Sequence, residues 1–94
     1  MSAMRPLAQA IPGALATLLR GAPISPGKVD FAWKAAVGPA MDRVTWVRLE
    51  GTVLLVEAHS PQWTHEVARS AHLILAHMQA LLGEDVIREL TVRA

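Results

Sequence analysis

The sequence contains no cysteine, and its charges nearly cancel. With no cysteine, neither a disulfide nor a thiolate metal site can form, and a cytosolic compartment is compatible with this composition. Nine Lys and Arg stand against eight Asp and Glu, for a net charge of +1. The chain therefore lacks the strong basic excess that is typical of proteins held on nucleic acid by charge.

Long uncharged apolar tracts are also missing, although 52% of the residues are hydrophobic. No tract reaches the roughly 18 residues that would indicate a transmembrane helix. The apolar N-terminal run is interrupted at Pro12 and Gly13 and is followed by Arg20, which argues against a signal peptide. We therefore expect a cytoplasmic protein with no membrane partner.

Signals for catalysis are absent as well. The only imidazoles are those of His59, His65, His72 and His77. On one helix, His65 and His72 would lie about 10 Å apart, too far to share a metal ion. There is no recognisable nucleophile motif and no glycine-rich loop after a strand to hold phosphate. We expect no enzyme activity, no metal and no cofactor.

The strongest pattern that is present covers residues 60–82. Ser60 and Pro61 are typical of a helix start, and Gly83 can end the helix. Between them, apolar residues recur in steps of three and four at Trp63, Val67, Ala71, Ile74, Leu75, Met78, Leu81 and Leu82. This spacing predicts one helix of about six turns with a single buried stripe.

The rest of the chain alternates between helix and strand signals. The predicted elements are a helix with its stripe on residues 7–19, a short helix from Ser25 and Pro26 that ends at Gly38 and Pro39, a hairpin of residues 44–50 and 52–59, and a third strand of residues 86–93. The fold class is therefore α+β. We predict a three-stranded sheet packed on the long helix and the N-terminal helices, in one domain of residues 1–94 with a frayed N-terminus at residues 1–10.

The two faces of the predicted hairpin differ. A turn at Glu50 and Gly51 would pair Leu49 with Thr52, Val47 with Leu54 and Thr45 with Val56. The core face then carries Thr45, Val47, Leu49, Leu54, Val56 and Ala58, and the outer face carries Trp46, Arg48, Glu50, Val53, Leu55, Glu57 and His59. This register puts Trp46 beside Leu55, with Arg48 next to them, as a candidate contact surface. The alternative is that the N-terminal helices cover Trp46.

Two further tryptophans lie on apolar helical stripes. Core packing is the ordinary explanation for both Trp33 and Trp63. The functional alternative leaves Trp63 partly exposed at its helix N-terminus, where it could stack on a base or fill a partner's pocket. His65 and Arg69 lie beside that stripe and could extend the contact surface, although an ordinary solvated face is the simpler explanation for them. Glu66 and Arg69 are spaced to form an exposed ion pair.

Residues 33–40 (WKAAVGPA), the hairpin, residues 60–67 (SPQWTHEV) and the leucine-rich helix that ends near Gly83 together resemble the DciA family. The resemblance runs over roughly residues 15–93. It implies a K-homology-like fold, a role in loading a DnaB-type replicative helicase in bacteria, and binding to single-stranded DNA. Longer members carry an additional tail that is linked to DNA contact or helicase engagement, so DNA binding is the property least safely transferred to this chain.

Two other functions remain open from the sequence. One is a K-homology-like RNA-binding module, and the other is a general protein-interaction domain. K-homology domains hold nucleic acid with a Gly-x-x-Gly loop between two helices. No two of the six glycines in this sequence are three positions apart, so the fold could be present without a Gly-x-x-Gly loop to hold nucleic acid.

Overall fold

The computed structural model describes residues 23–93. The predicted helix over residues 7–19 and the predicted frayed end at residues 1–10 lie outside this range. The elements in chain order are α1 (Pro26–Arg43), β1 (Thr45–Glu50), β2 (Val53–Ala58), α2 (Pro61–Arg69), α3 (Ala71–Leu82) and β3 (Glu89–Arg93). The α+β class and the three-stranded sheet predicted from the sequence are confirmed.

Helix α1 begins where the sequence predicts, and at Gly38, where its end was predicted, it is interrupted and then continues to Arg43. The Ser25 hydroxyl accepts a hydrogen bond from the Lys28 backbone N–H at 3.1 Å, and Pro26 occupies the first turn. Gly38 has φ +87°, which breaks the regular helix, and Pro39 starts a last short stretch to Arg43. The first and main part of α1 supplies its buried residues.

The sheet has the order β1-β2-β3, with β1 antiparallel to β2 and β2 parallel to β3. Glu50 pairs with Val53, so the hairpin turn is at Gly51 and Thr52, one residue later than predicted. Only Gly51 of this pair has a positive φ, as when glycine takes the first position of a type II′ turn.

The predicted hairpin register was therefore wrong by two residues. Leu49 pairs with Leu54, Val47 with Val56 and Thr45 with Ala58. Because successive side chains alternate between faces, a shift of two residues leaves every side chain on its predicted face. The assignment of a core face and an outer face is confirmed by burial: Leu54, Val56 and Ala58 are buried, and Trp46 and Arg48 are exposed.

The third strand starts later than the alternation suggests. Residues 84–86 form a turn, and β3 begins at Glu89 instead of Val86. A strand that began at Val86 would put Ile87 on the same side as Glu89, Thr91 and Arg93, but Ile87 is fully buried. The two-residue period does not apply before Glu89, because the backbone there is not yet extended into the sheet.

The single long helix predicted over residues 60–82 is two helices. Ser70, at φ −102° and ψ 8°, separates α2 from α3, and its N–H contacts the Glu66 and Val67 carbonyls at 3.2 Å each. Helix α2 packs on β2 and β3, whereas α3 packs mainly on α1. The break lets one apolar stripe face two different partners. The predicted start is confirmed, since the Ser60 hydroxyl accepts from the Trp63 N–H at 3.3 Å.

The core lies between the inner face of the sheet and the helices. Trp33 is its largest fully buried side chain, which confirms the core assignment for this tryptophan. The Trp33 indole N–H donates to the Thr45 hydroxyl at 2.9 Å, and that hydroxyl donates to the Met41 carbonyl at 2.7 Å. This chain of hydrogen bonds satisfies the polar atoms that burial would otherwise leave unpaired. It also fixes α1 against the first residue of β1.

Candidate partner-binding site

The outer face of the sheet carries an exposed aromatic side chain. Trp46, at the second position of β1, is 61% exposed. Its ring stacks on the His59 imidazole, with ring centroids 4.5 Å apart and planes 18° apart. A stacked indole stays accessible but loses rotational freedom before any partner arrives, and such pre-ordering favours binding.

Trp46, Arg48 and Leu55 surround one shallow depression on this face, and Glu57 and Arg93 complete its rim. The corrected register changes their neighbours. Leu55 lies directly opposite Arg48, and Trp46 lies opposite Glu57, so Trp46 and Leu55 are diagonal and not side by side as predicted. Diagonal neighbours are still within reach of an aromatic side chain.

Ion pairs neutralise the charges around the depression. Arg48 pairs with Glu50 at 2.8 Å, and Arg93 pairs with Glu57 at 3.4 Å. All four side chains are more than half exposed, so each pair contributes little to stability. With Trp46 and Leu55 they give this face an apolar centre and a polar rim of both signs, a composition that is typical of protein contact surfaces.

The other three predicted site residues lie on α2. Trp63 is half-buried, and with exposed His65 it lines an open depression at the N-terminus of the helix. Arg69 is bound to Glu66 at 2.6 Å, which confirms the predicted exposed pair. Trp63 is thus less buried than the core residue Trp33, but it is not fully exposed.

Sequence reasoning missed two side chains on the accessible surface. His59 was assigned to the outer face but not to the candidate site. Its stacking on Trp46 follows from the observed register, in which His59 lies two residues beyond Glu57, the residue that pairs with Trp46. Phe31, 51% exposed on α1, lies in a depression that also includes Trp46. No sequence signal could have paired Phe31 with Trp46, because only the packing of α1 beside β1 brings these two side chains together.

Among residues 23–93, no group of His, Asp and Glu is arranged to hold a metal ion. His77 is almost fully buried, and neither ring nitrogen has a hydrogen-bond partner in the described part of the chain. Burial lowers the pKa of His77, and the nearby backbone of Ala36, which is not placed to form a hydrogen bond of good geometry with the ring, opposes this shift more weakly. None of the described helices is long and apolar enough to cross a membrane.

The described residues form a small α+β fold with an accessible aromatic patch on the outer face of its sheet. A family model described as "Dna[CI] antecedent, DciA" matches residues 6–92. The chain belongs to the DciA family, which is a non-catalytic family associated with loading of the replicative helicase. Comparison with curated proteins and with solved structures gives no match.

Proposed function

We propose that this chain is a non-enzymatic replication adaptor that contacts a DnaB-type helicase through the patch of Trp46, Leu55 and Arg48. The observation that carries the proposal is the 61% exposure of Trp46 on the outer face of the sheet in a member of a helicase-loading family. Tryptophan and arginine are both enriched at the positions that dominate the binding energy of protein interfaces. This role places the protein in the bacterial cytoplasm, where the chromosome is.

A protein partner fits this face better than a nucleic acid does. Two of the nine cationic residues, Arg5 and Arg20, precede the described range, which leaves seven Lys and Arg against eight acids there. Arg48 and Arg93, the two cations on the outer face, are already paired with acids. Few phosphates could be neutralised at once, and such neutralisation provides most of the affinity of basic DNA-binding proteins.

The junction between α2 and α3 also favours a protein partner over a nucleic acid. The strand-helix-helix-strand order from β2 to β3, with these two strands parallel, supports a K-homology-like relationship. In K-homology domains a Gly-x-x-Gly loop between two helices clamps the nucleic-acid backbone. Here α2 and α3 are joined by Ser70 alone, with no glycine. The geometry therefore favours a related fold without that clamp.

We expect single-stranded DNA binding to be weak and to fade between about 50 and 200 mM salt, because any affinity has to come from a few dispersed cations. Binding of the full chain to a labelled oligonucleotide, measured across this salt range, checks the expectation. Tight binding that is insensitive to salt would contradict it and would indicate base stacking on Trp46 or Trp63.

The proposal as a whole is tested by presenting the full chain with three partners in parallel: the replicative helicase of the source bacterium, single-stranded DNA and single-stranded RNA. At about 150 mM salt we expect the helicase to bind most tightly, because an apolar contact is little affected by ionic strength. Preferential binding to RNA would indicate the K-homology-like RNA-binding alternative. Binding to none of the three would favour an interaction domain that serves another process.

A further inference from the structure

A groove runs along the free edge of β1, on the side away from β2. Two adjoining depressions form it, and they share Asp30 and Val47. All the residues that line them lie in α1, in the two residues before α1, or in β1. The groove therefore has a helix as one wall and the outer edge of a strand as the other.

Backbone hydrogen-bonding groups point into this groove. The His59 N–H donates to the Val44 carbonyl at 2.9 Å, so this pair is hydrogen-bonded, and hydrogen-bonded pairs alternate along an antiparallel ladder. The N–H and C=O groups of Thr45, Val47 and Leu49 therefore face away from β2. Within residues 23–93 the sheet has no strand beyond β1 to pair with them.

Exposed apolar side chains are concentrated along the same groove. The described chain has four large hydrophobic residues that are clearly exposed: Ile24, Phe31, Trp46 and Leu73. Ile24 lines one end of the groove, Phe31 and Trp46 line the other, and only Leu73 lies elsewhere. Val29 and Leu49 extend the apolar wall at the Ile24 end. When a peptide adds to a sheet edge as a new strand, its alternate side chains need apolar sites beside that edge. The groove offers such sites at both of its ends.

We propose that this groove binds an extended segment of another protein, which pairs with β1 as a fourth strand of the sheet. Backbone hydrogen bonds to Thr45, Val47 and Leu49 provide affinity, and the two apolar ends select residues at alternate positions. A helix or a nucleic acid does not supply the row of N–H and C=O groups that this edge needs. The proposal does not depend on the helicase being the source of the segment.

Charges in the groove define the segment further. Lys34 and Arg43 line the Trp46 end and make no ion pair within the described chain, while Asp42 lies beside them and Asp30 lies at the middle. A phosphate backbone or a uniformly acidic strand would meet both aspartates. The complementary segment therefore carries polar residues of both signs between its apolar residues, with an acidic one toward Lys34.

The test selects binders from a library of random linear peptides displayed on phage, with the full chain as the immobilised target. We expect enriched peptides with alternating apolar residues. Titration of one such synthetic peptide should shift the backbone amide NMR signals of Thr45, Val47 and Leu49. N-methylation of the alternate peptide residues that face β1 should abolish binding, whereas methylation of the intervening residues should not.

Phe31→Ala should weaken binding of the selected peptide about tenfold by removing one apolar anchor. Leu73→Ala is the matched control, because Leu73 is similarly exposed but lies outside the groove, and it should leave affinity unchanged. Three results would overturn the proposal: no enrichment, enriched peptides that bind as helices or shift other surfaces, or β1 edge amides already protected from hydrogen exchange in the free chain. The last result would mean that the chain itself, or a second copy of it, occupies the edge.

Discussion

The inner and outer faces of the hairpin are built from the same two strands but differ in burial. Leu54 and Val56 on the inner face are fully buried against the helices. Arg48 and Trp46 on the outer face are exposed, and the outer-face charges are paired with each other. Because side chains alternate, adjacent residues of one strand lie in different environments, one in the core and the next in solvent. Substitutions on one face should therefore change stability, and those on the other should change binding.

The largest effect we expect is the loss of stability from substitutions in the core between the inner face and the helices. Leu54→Ala or Ile74→Ala should lower the free energy of unfolding by about 2–5 kcal/mol, because each removes a fully buried side chain and leaves a cavity. Urea denaturation measures this change. Leu73→Ala, on the same helix as Ile74 but exposed, is the control and should change stability little. If both buried substitutions were close to neutral, the packing of the sheet on the helices would be wrong.

A smaller effect is expected from the buried hydrogen-bond chain. Thr45→Val should cost about 1–3 kcal/mol, because the Trp33 indole N–H loses its acceptor inside the core. The matched control is Thr91→Val on the exposed side of β3, which should have little effect. Equal stability of the two variants in urea would show that the Trp33 hydrogen bond does not hold α1 to β1.

The pH dependence of stability gives a third, subtler comparison. Burial lowers the pKa of His77 in the folded chain below its ordinary value of 6.5. Between the two pKa values the unfolded chain binds a proton that the folded chain does not, so stability falls as the pH drops below about 6.5. Above that pH His77 is neutral in both states, and this loss of stability is absent.

Urea midpoints measured at about pH 7.5 and about pH 5.5 test this sign. Between the two pH values, the His77→Leu variant should lose less stability than the unmodified chain, because it lacks the His77 contribution. The other three histidines are present in both proteins, so their effect cancels in the comparison. An identical loss in both proteins would mean that His77 does not titrate differently on folding.

Local rules predicted much of this fold from the sequence. Both Ser-Pro helix starts, the Gly38 break and the two faces of the hairpin follow from capping, backbone conformation and a period of two. The faces survived a wrong register because the error was an even number of residues. The patch of Trp46, Arg48 and Leu55 could therefore be proposed, although its internal geometry could not.

Features that depend on tertiary packing could not be predicted. The break at Ser70 has no glycine or proline to signal it, and the apolar spacing continues across it. Ile87 is buried because a turn carries it under the sheet before β3 begins. The groove that contains Phe31 exists only because α1 lies beside the edge of β1. Neither segment has a sequence pattern that indicates this contact.

The most direct test of the difference between the two faces is one variant measured in two ways. Trp46→Ala should leave the thermal melting temperature of the full chain nearly unchanged, because the side chain is 61% exposed. It should weaken binding to the replicative helicase by about 2 kcal/mol or more, because it removes the aromatic centre of the contact. A large loss of stability would mean that Trp46 belongs to the core, and unchanged affinity with an intact fold would mean that the helicase binds elsewhere.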